Sequence, residues 1–113
     1  MIKNGLYSVD SRALDGVEDG DTGVILLRDG ELLGGSSYFY WFGTYTCSEG
    51  KWKGELSTQE HTPVRPQRVM AGKIGTVGFG GTYDDVSVVM NITALVGKRG
   101  IQYRAKLRLL KAD

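Results

Sequence analysis

From Val86 to Leu110 the chain alternates apolar and polar residues with a period of two. Val86, Val88, Met90, Ile92 and Ala94 fall on one parity, with Ser87, Asn91 and Thr93 among the residues between them. After Gly97-Lys98-Arg99-Gly100 the pattern resumes, with Ile101, Tyr103, Ala105, Leu107 and Leu109 alternating with Gln102, Arg104, Lys106 and Arg108. Alternation of this length sets one row against a core and the other in water, whereas a helix would scatter the same residues around its circumference. The stretch therefore predicts a β-hairpin of two long strands.

Shorter strands are expected upstream. Leu6 to Val9 makes the first, followed by a polar, glycine-rich segment from Asp10 to Asp21 that reads as a solvated loop. Gly23 to Arg28 is the second, and its Val24-Ile25-Leu26-Leu27 run is apolar on both parities, so its outer face must also be covered. Asp29-Gly30 is a two-residue hairpin signal, and Glu31 to Gly34 returns as the third strand. Beyond the break at Gly35-Ser36-Ser37, Tyr38 to Cys47 forms the most aromatic segment, and Glu49-Gly50 turns it back into Trp52 to Thr58. In that fifth strand Lys51, Lys53, Glu55, Ser57 and Gln59 share the wet parity, and Trp52, Gly54 and Leu56 the other. Gln59 to Lys73 shows no period and reads as a long loop with one helical turn near Arg68 to Ala71, before a glycine-punctuated strand from Thr76 to Tyr83 and a turn at Asp84-Asp85.

About eight antiparallel strands in meander order, joined mostly by short turns, predict an all-β, up-and-down β-barrel, with a two-sheet sandwich as the alternative. Closure would also remove exposed strand edges. The 17 glycines support this, because coiled barrel strands need positions without side chains. A length of 113 residues fits a single domain spanning residues 1–113.

Charge and cysteine content narrow the function. At a formal +1 there is no bulk electrostatic drive toward nucleic acid or an anionic membrane. The single cysteine, Cys47, cannot close an internal disulfide, which suits a reducing compartment. Met1-Ile2-Lys3-Asn4-Gly5 carries no apolar stretch behind its lysine, as a signal peptide would, and no apolar run reaches membrane-spanning length. A cytoplasmic protein is expected.

Catalytic signatures are lacking in the sequence. Cys47 and the solitary His61 fall short of a zinc set, and as a nucleophile–base pair they would have to meet from a strand end and a loop. No Gly-x-Ser-x-Gly occurs. The glycines from Gly72 to Gly81 match neither the Walker nor the dinucleotide spacing and read as a bent strand. Asn91-Ile92-Thr93 has the form of a glycosylation triplet but falls mid-strand. Arg104, Lys106 and Arg108 are the outward parity of an amphipathic strand, balanced by acidic loops. No enzyme, cofactor or metal is expected.

The aromatic run carries more information. Tyr38 to Phe42 is aromatic on both parities, so part of it must face outward, and an outward apolar patch on a small barrel predicts a protein interface. Val24, Leu26, Phe39 and Trp41 are the candidate dimer-interface residues. Trp52, Leu56, Val88, Met90, Tyr103 and Leu107 are the candidate barrel interior.

Met1-Ile2-Lys3-Asn4-Gly5-Leu6-Tyr7-Ser8, then Gly23-Val24-Ile25-Leu26-Leu27 with Gly30, then Gly34-Gly35, and Gly43-Thr44-Tyr45 after the aromatic run, resemble the GrlR-like proteins, negative regulators of type III secretion genes in bacteria. The likeness is clearest over the first half of the chain, and its motifs are turn glycines and core aromatics. It implies a lipocalin-like eight-stranded barrel, a homodimer without enzymatic activity, and a function exercised by sequestering a transcriptional activator without direct contact with nucleic acid. Where that family carries an acidic run after its fourth strand, this chain reads Ser48-Glu49-Gly50-Lys51, so that contact does not carry over. Glu18, Asp19 and Asp21, in a different loop, are the candidate acidic partner residues. The alternative is a lipocalin-like carrier of a small apolar ligand inside the barrel.

Overall fold

The computed structural model of the chain describes residues 2–14, 20–63, 75–96 and 99–113. Among them are eight strands: β1 (Gly5–Ala13), β2 (Gly20–Arg28), β3 (Glu31–Ser36), β4 (Phe39–Ser48), β5 (Lys51–Glu60), β6 (Gly75–Tyr83), β7 (Ser87–Val96) and β8 (Arg99–Ala112). Each pairs antiparallel with the next, and β8 pairs with β1, closing an up-and-down barrel. The two-sheet sandwich is thereby excluded.

The hairpin from Val86 to Leu110 adopts the register its alternation requires. Val88 faces Leu107, Met90 faces Ala105 and Ile92 faces Tyr103. The segment from Asp10 to Asp21 departs from expectation: β1 continues to Ala13 and β2 begins at Gly20, with Arg12 paired to both Gly20 and Arg104. Barrel closure supplies a hydrogen-bonding neighbour on each side, and that outweighs the weak strand propensity of a polar stretch. For the same reason β3 reaches Ser36 and β5 reaches Glu60. The expected helical turn near Arg68 to Ala71 and the turn residues Gly97 and Lys98 lie outside the described residues.

Tight turns close one end. Asp29 and Gly30 have φ of 51° and 85°, and Glu49 and Gly50 of 53° and 79°. Paired left-handed residues match the twist of the flanking strands, which is why a two-residue hairpin prefers them. Asn4 braces the first turn, its Nδ2 donating to Asp29 Oδ1 at 2.9 Å and its Oδ1 accepting from the Asp29 amide at 3.1 Å. Arg28 holds Asp113 through two hydrogen bonds, of 2.7 and 3.0 Å, and the Asp113 amide donates to the Asn4 carbonyl at 2.9 Å. Both ends of the chain thus meet at this end of the barrel, where buried Ile2 joins the core.

The β6–β7 turn depends on Asp84, whose Oδ1 accepts from the amides of Val86 at 3.0 Å and Ser87 at 2.9 Å and from the Ser87 hydroxyl at 3.2 Å. The Val86 amide, then the Ser87 amide and hydroxyl, hold this carboxyl below its ordinary pKa. A lowered folded-state value means the stabilisation is complete above the unfolded pKa and is lost as pH falls through the folded one. Acid titration is therefore expected to loosen this turn only below about pH 4. Proton-detected exchange of the Val86 and Ser87 amides should accelerate there, and Asp84→Ala should show fast exchange already at neutral pH.

Inside, Trp52 stands edge-on to Tyr45 (centroids 5.6 Å apart) and to Phe79 (4.7 Å), and its Nε1 donates to the Val89 carbonyl at 2.8 Å. The Tyr7 hydroxyl donates to the Lys3 carbonyl at 2.7 Å, and burial, then the neighbouring Tyr45, raises its pKa. The six expected interior residues, Trp52, Leu56, Val88, Met90, Tyr103 and Leu107, are all buried. All but Tyr103 belong to one continuous cluster with Tyr7, Leu27 and Phe79.

Candidate interaction surface

Strand parity divides the outer wall into two different faces. On β5 and β8 the outward side chains are mostly charged or polar: Lys51, Lys53 and Glu55 on one, Arg104, Lys106 and Arg108 on the other, all exposed, with Leu110 the apolar exception near the end of β8. Asn91 on β7 accepts from Arg104 Nε at 3.2 Å. Between them β6 turns Gly78 and Gly80 outward, and the missing side chains leave a shallow groove of about 570 Å³ edged by Thr44, Thr46, Lys53, Glu55, Asn91 and Thr93.

The wall made by β1 to β4 carries an apolar band between polar positions such as Asp10 and Arg12 on one side and Arg28 and Glu31 on the other. Leu6 lies opposite Leu26, Leu26 opposite Leu33 and Leu33 opposite Phe42, an unbroken row across four strands. Side chains on directly paired residues are close neighbours on the same face, so the row is one surface. Leu33 is 61% exposed and Phe42 43%, while Leu26 is half-buried between its neighbours. One pleat along, Val24 and Tyr40 flank Gly35, and the Tyr40 ring stacks on Phe42 at 6.2 Å. His61 borders the patch at 6.5 Å from Tyr40. Its Nε2 donates to the Ser36 carbonyl at 3.0 Å and its Nδ1 bonds the Thr62 hydroxyl at 2.7 Å, so the ring is held by both nitrogens.

The expected interface residues divide. Val24 and Leu26 lie on the outward parity of β2. Phe39 and Trp41 do not share that face: Phe39 is 6% exposed, and Trp41 is half-buried between Phe39 and the main core. The reason is register. Cys47 pairs with Trp52 and Trp41 with Thr58, which fixes the odd-numbered residues of β4 on the interior side and turns Tyr40 and Phe42 outward. The wet parity of Thr44, Thr46 and Ser48, extended backward by twos, marks Phe42 and Tyr40 in the sequence. Leu6 and Leu33 are found only once the strands are laid side by side.

Of the acidic candidates, Glu18 and Asp19 lie outside the described residues, and Asp21 is a β2 position paired with Ser11. Cys47 packs half-buried against the core near the Glu49-Gly50 turn, whereas His61 follows β5 at the opposite end. The eight residue-to-residue steps of β4 from Cys47 back to Phe39, the partner of Glu60, separate them by roughly 26 Å. The two cannot exchange a proton. Among the described residues there is no group of three or more His, Cys, Asp or Glu able to hold a metal, and no helix long and apolar enough to cross a membrane.

Compared with known proteins, the chain matches no family model and no curated protein.

Proposed function

We propose that this chain is a non-enzymatic cytoplasmic interaction protein that pairs with a second copy of itself through the outer face of β1 to β4. The observation that carries the reading is the Leu6–Leu26–Leu33–Phe42 row, broadened by Val24 and Tyr40. A contiguous apolar face on one wall of a small barrel, with charged residues on the opposite wall, is the pattern expected of a covered surface. A two-fold pairing covers it economically, because the same patch serves both partners. The resemblance to GrlR-like negative regulators supports a role for the dimer in occluding a transcriptional activator, in which the rigid barrel covers a surface the activator needs. The carrier reading is weaker, since Trp52, Leu56, Val88, Met90 and Leu107 are all buried members of one packed cluster.

Sedimentation equilibrium at micromolar concentration is expected to give a dimer, and Leu33→Lys a monomer with an unchanged far-UV spectrum. Lys106→Ala, on the opposite wall, should leave the dimer intact. A monomeric parent protein, or a Leu33→Lys variant that still dimerises, would remove this reading.

A further inference from the structure

The chain's formal charge of +1 conceals an uneven distribution over the barrel. Among the described residues, the outward positions of β5 to β8 carry Lys51, Lys53, Arg104, Lys106 and Arg108 against a single carboxylate, Glu55. Lys51, Lys53, Lys106 and Arg108 form no ion pair with a described residue; the pairs there are Arg12 with Asp10 and Arg28 with Asp113.

Strand register sets these cations in two facing banks. Lys53 pairs with Gly80, Gly80 with Asn91 and Asn91 with Arg104. One pleat along, Lys51 pairs with Thr82, Thr82 with Val89 and Val89 with Lys106. Each lateral row thus has a cation at both ends and uncharged residues between, the banks standing about 14 Å apart along the wall, three strand spacings. Between them runs the shallow groove over β6. A Cβ on Gly78 or Gly80 would meet no atom closer than 3.9 and 3.7 Å respectively, so packing does not require glycine at either position. Like charges held in rows on both banks of a recess repel one another, and an anionic occupant relieves that repulsion.

An acidic protein segment in extended conformation fits this geometry. It advances about 6.6–6.8 Å per two residues, as the strands beneath it do. Carboxylates at alternate positions therefore come level with Lys51 and Lys53 on one bank and with Arg104, Lys106 and Arg108 on the other. Asn91 Oδ1 accepts from Arg104 Nε at 3.2 Å, which steadies the guanidinium and leaves its terminal N–H groups for a carboxylate. A single-stranded nucleic acid would need rings on which to stack its bases, and the described outward positions of β5 to β8 hold none. Glu55, beside Lys53 on the same bank, also opposes an unbroken phosphate chain, whereas a peptide can place an amide or a lysine there.

We infer that the groove over β6 docks an extended acidic segment of a partner protein, gripped between the Lys51–Lys53 bank and the Arg104–Lys106–Arg108 bank. The groove lies on the wall opposite the apolar band of β1 to β4, so it stands or falls apart from dimer formation.

A fluorescein-labelled octapeptide of alternating serine and glutamate is the probe, read by anisotropy on the full chain at low ionic strength. Its serine–glutamine counterpart and a thymidine pentanucleotide, which carries the same four negative charges, are the comparisons. The acidic peptide is expected to bind saturably, and the glutamine peptide about tenfold more weakly, several exposed ion pairs being lost together. The pentanucleotide should also bind more weakly than the acidic peptide. Lys53→Gln combined with Arg104→Gln should weaken the acidic peptide by about fivefold, and Lys3→Gln, away from this wall, should leave it unchanged. Gly80→Val should weaken it as well, by filling the floor of the groove, without lowering the melting temperature, since valine suits an outward strand position. Equal affinity for the two peptides, undiminished binding in the double variant or in Gly80→Val, an equal loss in Lys3→Gln, tighter binding of the pentanucleotide, or no binding of the acidic peptide would overturn the inference.

Discussion

Replacing Trp52 with alanine is expected to destabilise the barrel by about 3–5 kcal/mol, a large share of the stability of a domain this size. Three losses coincide at this residue. The indole is 2% exposed, so nearly all its apolar surface returns to water on unfolding. It makes edge-on contacts with both Tyr45 and Phe79, each worth a further fraction of a kilocalorie to about 1.5 kcal/mol. Its Nε1–H also ties β5 to the β7 backbone at Val89, two strands away. The hole left would sit between facing walls of a closed barrel, where collapse is resisted by hydrogen-bonded strands on every side. Urea melts should show the shift in midpoint, with Lys53→Ala, the outward neighbour, changing stability by less than about 0.5 kcal/mol as the control. A Trp52→Ala variant within 1 kcal/mol of the parent would mean that the interior is not packed around this ring.

That centre was legible in the sequence because period-two alternation needs no partner to be read. Trp52, Leu56, Val88, Met90, Tyr103 and Leu107 follow from counting by twos along their own strands. The outward wall was harder. Val24 and Leu26 stand out because four apolar residues in succession cannot all face in, but Phe39 to Phe42 is apolar on both parities and gives no local sign of which pair turns out. The answer lies in the hydroxyl residues Thr44, Thr46 and Ser48 farther along β4, and in its register with β5. The inward turn of Glu60 was missed for a related reason. Two polar residues, Gln59 and Glu60, look like a strand end, yet the parity of Trp52, Leu56 and Thr58 carries Glu60 inward as soon as the strand continues two residues further. The Leu6–Leu26–Leu33–Phe42 row is not a feature of any one strand. It exists only in the lateral direction, which hairpin registers create and a linear reading does not contain.

Gly81→Ala is expected to cost about 3 kcal/mol, at the upper end of the usual range for overpacking, although it adds a single methyl group. A Cβ at this position would collide with the Val89 carbonyl oxygen and stand 3.1 Å from Trp52 Nε1. Those two atoms are the acceptor and donor of the hydrogen bond that joins β5 to β7. Neither can retreat cheaply, since the carbonyl is backbone and the indole is wedged between Tyr45 and Phe79. Gly78 on the same strand is the matched control. Its nearest neighbour would be the Gly54 carbonyl oxygen at 3.9 Å, an ordinary contact, so Gly78→Ala is expected to be neutral or to stabilise by a few tenths of a kilocalorie through the unfolded chain. The coupling can be measured as well as the cost. In a Trp52→Phe background the indole N–H is already gone, and Gly81→Ala should then cost at least about 0.5 kcal/mol less than in the parent. Strictly additive effects in that cycle, or equal melting midpoints for Gly81→Ala and Gly78→Ala, would show that the glycine is not there to let β5 and β7 reach each other across β6.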